Sequence, residues 1–222
     1  MLRSAEGQYQ RQTRISATAA SAVRRLWRRL GVDFSRDWER VGPQIFDVTQ
    51  SARAAAVVTA LPYTAATLAE QGVVAESVGA LSGARFMASA PSGAPLAQVL
   101  EAPLIRTKAL VGQGMPTRLA LEQGGRYLSS IILTLMADTR RSVYGADIIS
   151  RPKAGGYVRM LQAPSCSRCV ILAGKFFRWN QGFQRHPNCF PAGVAVSGPA
   201  VEGATRRWYE GELVVLTTAS GQ

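Results

Sequence analysis

The chain has 222 residues, 47% of them hydrophobic, which is length and apolar content for one large domain or two small ones with a buried core. Arg, Pro and Gly interrupt every apolar run before the ~18 residues of a membrane span, so no membrane-spanning helix is expected, and the opening MLRSAEGQYQRQTR lacks the apolar core of a cleaved secretory signal. Lys+Arg of 26 against Asp+Glu of 14 gives a formal +12, a charge that suits a polyanion or an acidic partner surface without choosing between them.

Residues 8 to 31 have the periodicity of an amphipathic helix. Ile15, Val23, Leu26, Trp27 and Leu30 fall on one side and Arg24, Arg25, Arg28 and Arg29 on the other, with Gly31 placed as a C-cap. Residues 1–40 hold nine Arg against four acids (Glu6, Asp33, Asp37, Glu39), which fits either a solvated helix face or a binding surface. Asp33 or Ser35 is placed to cap a second helix bearing Trp38, Val41, Ile45, Phe46 and Val48, with Pro43 near its start. An Ala-rich stretch from Ser51 to Gln71 favours helix and is broken or kinked at Pro62. Residues 79–95, rich in Gly, Ser, Pro and Ala, read as a loop.

Helix is expected again over 96–112 and from Pro116 to Tyr144, the latter burying Leu119, Leu128, Ile131, Ile132, Leu135 and Met136, with Gly124-Gly125 marking a weak middle or a boundary. Asp147-Ile148-Ile149 and Gly156–Leu161 then read as short strands around turns at Pro152 and Gly155. The predicted fold class is therefore α+β, mainly α: long N-terminal helices, a small α+β Cys/His unit and a C-terminal β segment. Its expected divisions are 1–95, 96–146, 147–188 and 189–222, and no internal repeat is visible.

All three cysteines and the only histidine lie between residues 166 and 189. Cys166 and Cys169 form a C-x2-C pair, and His186 and Cys189 follow, a donor set that would close a tetrahedral structural Zn²⁺ site around a loop-rich segment. A thiol cluster without metal is the competing reading, because free Cys packs as a small hydrophobe. A disulfide needs an oxidising compartment, and a thioredoxin-like redox pair needs a βαβ frame that the sequence does not offer.

The runs Ala163-Pro164-Ser165-Cys166-Ser167-Arg168-Cys169, Gly174-Lys175-Phe176-Phe177-Arg178-Trp179-Asn180 and His186-Pro187-Asn188-Cys189 resemble the Mu F-like phage head morphogenesis family. Its domain follows a long helical region and ends in a C-x2-C, a glycine-containing hairpin and an H-P-x-C-x-C knuckle. The likeness is sharp over 147–189 and only architectural over 8–146. It implies a minor head protein at the portal side of a tailed-phage capsid, acting in assembly and in DNA retention or delivery. The implied partners are portal or major capsid proteins and, through the basic helices, packaged DNA. The implied location is the virion, with host cytoplasm during assembly.

Pro191 stands where that pattern has its last cysteine. From Cys189 onward, Phe190-Pro191-Ala192-Gly193-Val194-Ala195-Val196 and then Tyr209-Glu210-Gly211-Glu212-Leu213-Val214-Val215-Leu216-Thr217-Thr218 are similar to the opening of an intein or Hint domain. The resemblance makes Cys189 the nucleophile that converts the Asn188–Cys189 amide to a thioester. The T-x-x-H histidine and terminal His-Asn of that family do not occur between Cys189 and Gln222, so this chain alone is not expected to splice. From the residues alone, Val194–Val196 and Glu212–Thr218 read as a C-terminal β-hairpin packed on the small α+β unit, and it is the Cys189 context that favours the intein-like start.

Two other functions draw on parts of the sequence. A capsid maturation protease would need a base, and His186 is the sole histidine, in a context that points to the knuckle. A sequence-blind nucleic-acid-binding structural protein draws on residues 139–190, where nine Lys or Arg face one acid, Asp147, and Phe176, Phe177, Trp179 and Phe183 are interleaved. The alternative use of those aromatics is the core of the small unit.

Overall fold

The computed structural model describes residues 2–160, 171, 174–178 and 192–197. Among them five α-helices come first, α1 (Arg3–Trp27), α2 (Phe34–Ala60), α3 (Tyr63–Glu70), α4 (Leu96–Gly112) and α5 (Thr117–Ile149), with a 3-10 turn at Gly83–Phe86 between α3 and α4. Three strands follow: β1 (Ala154–Met160), β2 (Phe176–Arg178) and β3 (Ala192–Ser197). The fold is α+β and mainly α, as the patterning predicts.

The helices differ from their predicted bounds for identifiable reasons. α1 starts earlier than residue 8 because the Glu70 carboxylate accepts the Arg3 and Ser4 backbone N–H groups at 2.7 and 3.0 Å. It ends earlier too, as the Arg29 and Leu30 amides turn back to Leu26 and Trp27, three residues behind. Gly31 is not a C-cap: its N–H donates to Asp37 Oδ2 at 2.7 Å. Asp33 caps α2 as expected, its Oδ1 accepting the Arg36 N–H at 3.1 Å. Pro43 is neither a first-turn residue nor a break. It lies inside α2, where burial of Val41 and Ile45, both 0% exposed, offsets the ~3 kcal/mol that an interior proline costs. α2 absorbs the Ala-rich stretch as far as Ala60, and Pro62 separates it from α3.

Two expectations within α5 are overturned. The helix runs unbroken through Gly124-Gly125, and Asp147-Ile148-Ile149 forms its last turn instead of a strand. Asp147 Oδ1 pairs with Arg151 Nε at 3.1 Å, an i,i+4 spacing that holds the turn, while Ile148 packs with Leu68, Ala75 and Ala154. Leu119, expected to be buried, is 40% exposed; Leu128, Ile132, Leu135 and Met136 are buried as expected.

Packing groups the chain into two units, Met1–Arg11 with Val58–Ser82 and Arg140–Gln222, and Gln12–Val57 with Gly83–Thr139. Each unit thus gathers segments distant in sequence, whereas the expected divisions run along the chain. The second unit has the larger apolar cluster, including Val23, Trp27, Val41, Ile45, Leu100, Leu104, Leu128, Ile132 and Met136. In the first, the central strand β1 is flanked by β2 and β3, both antiparallel to it. Tyr157 pairs with Phe177 and stacks on it, ring centroids 5.4 Å apart, so Phe177 serves the sheet. Gly156 is required there, since a Cβ would come 2.1 Å from the Phe177 carbonyl oxygen.

Candidate functional site

Cys166, Cys169, His186 and Cys189 lie outside the described residues, as do Trp179, Phe183 and the predicted strand Glu212–Thr218. The strands adjoining these segments are described. Val158 of β1 pairs with Phe176 of β2, and Met160 at the end of β1 pairs with Ala192 at the start of β3. The chain therefore leaves Met160 toward Cys166 and Cys169 at the same end of the sheet where it returns from Cys189 to Ala192. Among the described residues no group of three or more His, Cys, Asp or Glu is arranged to hold a metal ion.

Of the basic face predicted for the first helix, Arg24 and Arg25 lie in the last turn of α1, while Arg28 and Arg29 follow in the turn beyond Trp27. Arg24, Arg25, Arg28 and Arg29 are all exposed, while Val23, Trp27 and Leu30 between them are buried. Arg25 donates to Ser21 Oγ at 2.9 Å and Arg29 to Gln44 Oε1 at 3.0 Å, both neutral acceptors that leave the charge unneutralised. The nearby Asp37 is engaged elsewhere, by Gly31 and by an ion pair to Arg40 at 2.9 Å. Exposed guanidinium groups on a helix end, backed by buried apolar residues, present a surface that phosphate groups can approach. No helix among the described residues is long and apolar enough to cross a membrane.

Sequence reasoning missed Arg53. Its side chain is fully buried, and its guanidinium donates to Thr139 Oγ1 at 3.2 Å, Gln50 Oε1 at 2.9 Å, and the Phe86 and Ser89 carbonyls at 2.7 and 2.5 Å. Burial lowers its pKa from the ordinary guanidinium value, and every one of these partners is neutral. Arg53 thus ties the 83–89 turn to α2 and α5, a structural task that no motif announces; the one signal is its isolation as the only charge among the small and apolar residues from 51 to 69. In the first unit a second polar set is buried: Gln8 donates to Tyr144 Oη at 2.9 Å, and Tyr144 lies 4.6 Å from Tyr63 between ring centroids. Burial pushes both phenols above their ordinary pKa, so neither ionises near neutral pH.

Comparison with protein-family models, with curated proteins and with solved structures finds no match to this chain.

Proposed function

We propose that the chain is a Mu F-like minor head protein of a tailed phage, working near the portal in capsid assembly and in retention or delivery of DNA. The observation that carries this reading is the C-x2-C and H-P-x-C pattern of the sequence, which falls in chain order between the strands of a small antiparallel sheet that follows long helices. The exposed arginines of α1 support contact with a polyanion. Cys166, Cys169, His186 and Cys189 are the donors that would hold a structural Zn²⁺, a set whose soft thiolates and imidazole match that ion. Elemental analysis of protein purified under reducing conditions should then find about one zinc per chain. The genomic locus tests the function itself. Portal and major capsid genes beside this one are the expected result, and a neighbourhood without phage structural genes would sink the reading.

Residues 189–222 carry two proposals. In the first, Cys189 opens an intein-like segment: its sulfur attacks the Asn188 carbonyl, the C–N bond breaks, a thioester forms and the Cys189 amine is freed. The antiparallel pairing of β3 with β1 favours the second, in which the segment supplies a strand to the small unit. Mass spectrometry of the chain supplied with the remaining part of a Hint domain separates them. Thiol-dependent cleavage at Asn188, lost in Cys189→Ala, supports the intein; an intact bond supports the strand.

A further inference from the structure

Between α2 and α4, within the second unit, runs a groove of about 440 Å³. Trp38, Pro43 and Phe46 give it an apolar wall, and Glu39, Asp47 and Glu101 stand around them. The indole of Trp38 lies against the backbone of Gly42, where a Cβ would come 2.9 Å from Cε2, so the glycine makes room for the ring. On α2, Glu39, Pro43 and Asp47 recur every fourth residue and share a face. On α4, Ala97, Glu101 and Ile105 do the same, and Ile105 is 59% exposed, extending the apolar strip beyond the groove.

The charge at this place runs against the rest of the molecule. The chain has only 14 acids against 26 Lys and Arg, yet none of Glu39, Asp47 and Glu101 forms an ion pair among the described residues. Pro43 adds to the negative character, because it brings no N–H to the Glu39 carbonyl one turn back. Three carboxylates repel a phosphate backbone, so this groove and the arginine face of α1 take different ligands. A second copy of this chain matches poorly: its arginine-bearing helix α1 already commits Val23, Trp27 and Leu30 to its own core. An apolar trough between two helices with a carboxylate rim is complementary to a helix bearing an apolar stripe flanked by Lys or Arg.

From this we infer that the α2–α4 groove is a docking site for a basic amphipathic helix of another protein. The apolar stripe of that helix lies against Trp38 and Phe46, and its cations meet Glu39, Asp47 and Glu101. The cationic charge of the whole chain opposes casual capture of such a ligand, so binding depends on this local site.

The test uses the full chain and a fluorescent Leu-Lys amphipathic helical peptide, read by anisotropy. Binding with Kd of about 10 µM or tighter is expected, weakened about tenfold by Glu39→Gln, Asp47→Asn and Glu101→Gln together, and by less in Ile105→Ser. Because these four residues are exposed, the variants should keep their fold. Glu6→Gln, Glu76→Gln and Glu122→Gln make the same change of net charge at exposed residues that do not line the groove and should leave binding within about twofold. The proposal is overturned by equal losses in the two triple variants, by equally tight binding of a Leu-Glu peptide, or by no binding at about 100 µM. Self-association abolished by the groove variant would assign the groove to a second copy and would overturn it as well.

Discussion

A methyl group at position 124 would come 2.0 Å from Thr107 Oγ1 and 2.6 Å from Trp27 Cζ2. Gly124 is therefore fixed by side chains reaching α5 from α4 and α1. Gly125 continues the notch, with its Cβ position 2.9 Å from Trp27 Cδ1, and the indole N–H donates to the Leu121 carbonyl at 2.9 Å. The glycine pair that sequence reading treats as a weak point is thus the seat of a buried tryptophan. Nothing local announces this, because Trp27 belongs to another helix far upstream. Gly124→Ala should cost about 1–3 kcal/mol through overpacking, more than the ~1 kcal/mol that alanine gains in a helix. Gly145 lies in the same helix with nothing within 4 Å of its Cβ position. Gly145→Ala should therefore raise stability by up to about 1 kcal/mol. Urea unfolding of the two variants gives midpoints on opposite sides of the parent's; a Gly124→Ala midpoint at or above the parent's would remove the notch from the account.

At the level of elements, helix existence was legible and helix ends were not, because the ends are set by partners distant in the chain. α1 is capped by Glu70 from the end of α3, whose carboxylate takes the Ser4 hydroxyl at 2.6 Å as well as two backbone N–H groups. The slight burial of Glu70 works against its charge. The Ser4 and Arg3 hydrogen bonds and the Arg3 charge outweigh it, and its pKa lies below the ordinary glutamate value. A lowered carboxyl pKa contributes stability above the unfolded-state pKa, and that contribution is lost as pH falls through the folded-state value. Glu70→Gln should cost a few tenths of a kcal/mol, at most about 1, near neutral pH because solvent screens this exposed carboxylate, and the difference should close once the parent's Glu70 is protonated. Thermal unfolding of both proteins from pH 7 to pH 3 would show this, and a gap that stays constant in acid would mean that the charge is not its source. The end of α5 follows the same logic. Asp147 and Ile148 have a strand-like pattern in sequence, but the Arg151 ion pair and contacts with Leu68 and Ala75 keep them helical.

For the whole molecule, the two candidate surfaces were unequally readable. The arginine cluster could be read because it arises from neighbours in sequence, in the last turn of α1 and the turn that follows it. The α2–α4 groove could not, since it exists only once Trp38 and Glu39 are brought beside Ala97 and Glu101 by tertiary packing. The Cys/His set is an expectation from donor type and spacing, and its residues lie outside those described. If the chain contacts duplex DNA as proposed, a net charge of +12 offers two sources of affinity, a specific face or total charge. Two double variants with identical net charge decide between them. Arg24→Ala with Arg28→Ala removes exposed cations that have no ion pair among the described residues. Arg118→Ala with Arg126→Ala removes cations already paired with Glu122, at 2.9 and 3.8 Å. If the α1 face meets phosphate, the first pair should lower affinity for unrelated duplexes alike and flatten the log K against log salt slope by up to about 1.8, from ~0.9 per lost phosphate contact. The second pair should change both little, since Glu122 already offsets part of its charge. Equal losses would assign binding to total charge, and a salt-insensitive or sequence-selective affinity would contradict the electrostatic account.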